Sequence, residues 1–190
     1  MPISFCIVGL FDIFIIFFLN LKKIRNVLFV IGTTLILAGY FVPAVFFAKF
    51  SINLCAFAGF LTCIIGSMIG LKGKIALMPI FTSFILSVFY LLVCARDYNY
   101  LFYFRPVFLF VLIISLTLFL GGINEKNSFA LISYMLCEFL SFLVVGERLS
   151  VYPLFSGEIV FCVVLTIAFN MISCFVAKLF RRRQRNEKIV

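Results

Sequence analysis

Apolar residues run along this chain in long blocks that neither alternate with polar ones nor narrow to a helical stripe. Seven windows reach bilayer-crossing length, which asks for about 17–25 apolar residues per helix: 3–19, 27–48, 52–71, 75–95, 106–123, 128–145 and 159–179. Hydrocarbon offers no solvent to an unpaired backbone group, so runs of this length predict helices. A membrane barrel would alternate in period two, and these blocks do not. The first window is the shortest and carries Asp12. It lacks the positive n-region and small-residue cleavage site of a secretory signal, and is read as a helix of the mature protein. Should it lie in the interface instead, six crossings remain. The expected fold is all-α: a polytopic transmembrane helix bundle over 1–179 and a basic cytoplasmic tail over 180–190.

Composition fixes the solvent. Of 190 residues, 65% are hydrophobic and 12% charged, with a mean hydropathy of +1.28, against about 45–50% and 25% in soluble domains. A water-exposed fold of this size could not hide so much apolar surface. Basic residues near helix ends stay cytoplasmic, and 12 of the 16 fall in the odd-numbered connections and the tail. The other four, Lys49, Arg96, Arg105 and Arg148, fall in the even-numbered connections. The N-terminus is therefore placed outside and the C-terminus in the cytoplasm. Tyr90, Tyr98, Tyr100, Tyr103 and Tyr152 sit at the expected outer boundary, as an aromatic belt would. Pro43 and Pro79 fall inside the second and fourth windows and are expected to kink them.

The net charge of +9 belongs to this map rather than to nucleic acid, of which nothing in the chain speaks. Arg181-Arg182-Arg183-Gln184-Arg185 follows the last window, where each basic residue near an anionic leaflet is worth about 1 kcal/mol. The run reads as a topology anchor, with anionic lipid headgroups as its partners.

Candidate chemistry is sparse. The chain has no His, which removes the usual general base and metal ligand. Its seven Cys are scattered through apolar runs without C-x-x-C spacing, so no metal site and no disulfide framework is expected. Walker A, G-x-G-x-x-G and H-E-x-x-H patterns are missing, so no cofactor and no enzyme activity is expected.

Two carboxylates fall at membrane depth, Asp12 and Glu138, where an ionised acid costs about 2.5–3.5 kcal/mol. Neither is given a basic partner within a helix. Tyr134 and Ser141 share the helix face of Glu138. The last window offers a polar stripe at Cys162, Thr166, Asn170, Ser173 and Cys174, and the fourth another at Ser83, Ser87, Tyr90 and Cys94. These stripes are expected to meet inside the bundle. Either they line a small polar cavity that binds substrate or relays protons, with Asp12, Glu138, Tyr134 and Asn170 as members, or they simply hold helices together.

Small residues recur at Ser51, Cys55, Gly59, Cys63, Gly66 and Gly70, a strip that lets another helix approach closely. An intramolecular seam is favoured over a dimer face. In the sixth connection, Leu149, Val151, Tyr152, Leu154 and Phe155 are expected to rest on the membrane surface, with Ser156 as N-cap of the last helix.

The outside N-terminus, seven short helices, Arg105-Pro106-Val107-Phe108 and Gly146-Glu147-Arg148-Leu149 together resemble a family of uncharacterised multi-pass membrane proteins of spore-forming Firmicutes. The resemblance implies a bacterial cytoplasmic membrane and carries no activity with it. Three functions stay open: a non-enzymatic interaction or assembly component with another membrane protein as partner, a small-solute transporter or importer subunit, and a membrane-embedded lipid-modifying enzyme.

Overall fold

Six helices and a small sheet make up the described part of the chain. In order they are α1 (Ile24–Ala38), β1 (Val45–Phe46), β2 (Phe50–Ile52), α2 (Leu54–Met68), α3 (Lys74–Arg96), α4 (Tyr98–Thr117), α5 (Ile123–Val145), β3 (Tyr152–Leu154) and α6 (Gly157–Glu187). The structure is a computed structural model and describes residues 24–39, 41–47, 49–69, 71, 73–96, 98–145 and 152–187, with side chains at all of these except 74, 94–96, 98–104 and 181–187. The first window, with Asp12, and Gly70 lie outside the described residues.

Among the described residues, three helices are long and apolar enough to cross a membrane: Ile75–Val93, Ile123–Val144 and Gly157–Phe180. The expected window 27–48 is corrected. Its helix stops at Ala38, and Pro43 lies in the connection beyond it rather than kinking a helix. Pro79 does sit inside α3. At about 1.5 Å per residue, the 15-residue helices α1 and α2 reach only about 22 Å, short of the roughly 30 Å hydrocarbon layer.

Three short strands lie in the connections flanking these helices and before α6. β1 pairs antiparallel with β2, and β2 pairs parallel with β3, with Phe50 opposite Tyr152 and Ile52 opposite Leu154. Pro153 falls on β3, at the sheet edge where its lack of an N–H costs no ladder bond. Asn53 ties the sheet to the helices: its Oδ1 caps α2 by accepting from Ala56 N at 3.0 Å. Its Nδ2 donates to the carbonyls of Gly39 and Val42 at the end of α1.

The α1–α2 hairpin closes on glycine. A Cβ at Gly59 would meet Gly32 O and Ile36 N at 2.6 Å, and one at Gly66 would meet Arg25 O at 2.9 Å, so the two backbones touch along this strip. α5 is the hub, packing on α2, α3, α4 and α6, and α4 also packs on α6. About 56% of the crossing windows of α5 and α6 is buried against 28% of that of α3, which makes α3 peripheral. Between α3 and α4 lies a cleft of about 480 Å³, lined by apolar side chains including Ile85, Phe89, Leu112 and Phe119.

Candidate functional site

The end of the bundle where α5 finishes and α4 begins is built around a buried ion pair. Glu138 lies seven residues before the end of α5, and Arg105 seven residues after the start of α4. Each is therefore about 10 Å inside its helix end. Arg105 Nη2 stands 3.4 Å from Glu138 Oε1, with 7% and 0% of the side chains exposed. This overturns two expectations: Arg105 is not a loop residue, and Glu138 does have a basic partner within a helix.

The third member comes from the returning chain. Tyr152 and Phe155 are fully packed, with 0% and 1% exposure, so they do not lie on the membrane surface as expected. Leu154 is buried with them. Arg105 Nη1 donates to the Tyr152 hydroxyl, and its guanidinium carbon lies 4.9 Å from the centre of that ring. Phe155 N donates to Glu138 Oε2 at 3.2 Å. Ring contacts of Tyr152 with Phe142, and of Phe155 with Phe139, show that residues 152–155 run back inward along the last turns of α5. A buried backbone N–H needs a partner, and Glu138 supplies it for Phe155. Phe155 also takes a left-handed φ of 55°, held by rings of Phe57, Phe60 and Phe139 around its own. Tyr90, expected in the aromatic belt, is likewise fully buried, stacked near Phe108.

Further in, the polar stripes do meet across helices. Ser83 Oγ donates to Phe129 O and accepts from Ser133 Oγ, both at 3.0 Å, joining α3 to α5. Cys137 Sγ donates to Ser87 Oγ at 3.5 Å on the same seam. On the other side of α5, the Tyr134 and Thr166 hydroxyls share a hydrogen bond at 3.0 Å, and Asn170 Nδ2 donates to Asn127 Oδ1 at 3.1 Å.

Tyr134, Glu138 and Asn170 are thus spread along the bundle and do not converge on one cavity. Glu138 works with α4 and the returning strand, Tyr134 with α6 one turn deeper, and Asn170 opposite Asn127, about 16 Å along α5 from Glu138. Ser141, on the same face as Glu138, is buried with its hydroxyl unpartnered. Gly59 and Gly66 face α1 within the chain.

Reading the sequence missed Arg105, Tyr152 and the Phe155 amide. A signal for Arg105 existed: the apolar run containing it spans 98–117 with no other charge, already long enough to be one helix. Lys126, between the windows 106–123 and 128–145 and so expected in a connection, lies in the first turns of α5, 7% exposed. No known family model, curated protein or solved structure matches this chain.

Proposed function

We propose that this chain is a multi-pass protein of the bacterial cytoplasmic membrane, acting as a non-enzymatic interaction or assembly component for another membrane protein. In this reading the chain crosses seven times, with the N-terminus outside and the basic end of α6 in the cytoplasm. One observation carries it: polar side chains inside the bundle are paired helix to helix in three separate seams, as a packed scaffold requires, rather than gathered around a solute path. The cleft between α3 and α4 has the opposite character, being lined by hydrocarbon. Purification from native membranes in mild detergent tests the reading. A defined membrane protein recovered in fixed proportion supports it, and a strictly solitary chain contradicts it.

A small-solute carrier is the second reading, favoured by the Arg105–Glu138 pair, since intramembrane ionisable groups lean toward transport roles. It requires uptake that is lost in Glu138→Gln while the protein stays folded. Uptake unchanged by that substitution removes the pair from any carrier mechanism.

A further inference from the structure

At the other end of α5, Lys126 lies about 5 Å from the helix start at Ile123, level with the headgroup boundary if α5 spans as proposed above. Its Nζ donates to Ser173 Oγ at 3.3 Å, and Ser173 Oγ donates to Asn170 O at 2.9 Å. Asn170 in turn donates to Asn127, so four residues form one hydrogen-bonded cluster across α5 and α6.

The cluster is unbalanced in two independent ways. Among the described residues, no carboxylate lies within 4 Å of the Lys126 ammonium, although the residue is only 7% exposed. Glu125, its neighbour in sequence, accepts instead from Gly121 N and Gly122 N at 3.3 and 3.4 Å. In addition, Asn170 Oδ1 has no hydrogen-bond partner on a residue that is 0% exposed. A buried ammonium needs a counter-charge and carries three donors, of which Ser173 takes one. Water could satisfy the amide oxygen but brings no charge.

The surroundings add positive potential. Pairing of Tyr134 with Thr166, Asn127 with Asn170 and Lys126 with Ser173 sets the register of α5 on α6. On that register α6 outruns the inner end of α5 by roughly ten residues, about 15 Å, and this overhang carries Lys178 and the arginine run from Arg181. Basic pockets between helices at the cytoplasmic surface suit anionic headgroups.

We propose that Lys126, in its cluster with Asn127, Asn170 and Ser173, binds a phosphate group, and that its source is an anionic phospholipid whose headgroup carries a hydroxyl. The phosphate oxygens accept from the Lys126 ammonium, and the headgroup hydroxyl donates to Asn170 Oδ1. Free phosphate shares the anionic chemistry but lacks the second donor.

The test uses the full chain, delipidated in an uncharged detergent and titrated with short-chain phosphatidylglycerol, short-chain phosphatidylcholine or inorganic phosphate, with the thermal unfolding midpoint as readout. Phosphatidylglycerol should raise the midpoint and phosphatidylcholine should not. Lys126→Gln should weaken the phosphatidylglycerol response at least about tenfold, the loss of a buried charge-assisted contact, while neutralising Lys178 and Arg181 to Arg183 should leave a saturable response. Ser173→Asp keeps the protein folded if Lys126→Gln does not: a carboxylate 3 Å or so from the ammonium replaces the ligand's charge, so the unliganded midpoint should rise and the lipid response vanish. An undiminished response in both variants overturns the site. An equal response to inorganic phosphate overturns the lipid as its source. Loss of stability in Asp12→Asn together with no lipid response assigns the counter-charge to the chain itself and also overturns the proposal. Each of these failures leaves the membrane crossing of α5 untouched, which topology reporters decide separately.

Discussion

Arg105 and Glu138 meet 3.4 Å apart between two helices, each about 10 Å from its helix end, with the returning strand laid over them. Neither charge has water to fall back on. The pair serves three elements at once, because Arg105 also holds the Tyr152 hydroxyl and Glu138 the Phe155 amide. Its role is to fix a backbone that turns back into the bundle.

Removing one partner should therefore cost more than removing both. Glu138→Leu strands a buried guanidinium and a buried amide and is expected to lose about 3–5 kcal/mol of stability. Adding Arg105→Met should recover at least about 2 kcal/mol, since buried pairs exchanged for apolar residues are often neutral. Unfolding of the two single variants and the double variant in detergent gives the coupling. Additive losses would show that the pair does not act as a unit.

Asn53 couples the end of α1 to the start of α2 through both ends of its amide. Asn53→Ala loses the N-cap, about 1–2 kcal/mol, and leaves the Gly39 carbonyl without that donor. Asn53→Asp keeps the cap but not the donor, so it should fall between the wild type and the alanine variant. Equal stability of all three in thermal unfolding would rule out the tie.

Gly59 should not tolerate even a methyl group. In a helix interior, glycine to alanine ordinarily gains about 1 kcal/mol, yet a Cβ here would stand 2.6 Å from backbone atoms of α1 that have no side-chain freedom to yield. Gly59→Ala is expected to destabilise by about 1–3 kcal/mol, the usual cost of overpacking. Gly121→Ala, whose nearest contact would be Glu125 at 3.6 Å, should stay within about 0.5 kcal/mol. A stabilised Gly59→Ala would mean the helices are further apart than described.

The sequence made the helices of 75–95, 128–145 and 159–179 legible because lipid demands length and apolarity, and both can be counted along a chain. α3, α5 and α6 extend those windows at their ends, α6 through the arginine run to Glu187. The strands were not legible. Val45-Phe46 and Ile52 fall inside apolar windows, where hydropathy cannot tell a buried strand from part of a helix, while Phe50-Ser51 and Tyr152-Pro153-Leu154 fall between windows, where two- and three-residue strands are too short to show an alternating pattern. Gly39 and Pro43 are ordinary helix-ending signals at the break after α1, but the apolar run continues through them, so the window 27–48 overruns the helix. Arg105 was misplaced for a related reason: a charge was assigned to the surface, whereas a carboxylate from another helix, 33 residues away in sequence, takes it into the interior. Of the candidate residues, Glu138, Tyr134 and Asn170 stand out in the sequence as polar positions inside apolar runs, and the structure buries all three. That they work at separate levels depends on which helix each one faces, and no single segment of sequence encodes that.

The most direct test of the account is a topology series in which a reporter is placed at positions 72, 97, 121, 148 and after 187 of the full chain. The bundle proposed here predicts strict alternation: cytoplasmic, outside, cytoplasmic, outside, cytoplasmic. Two neighbouring positions reporting the same side, or all five reporting the cytoplasm, would contradict it.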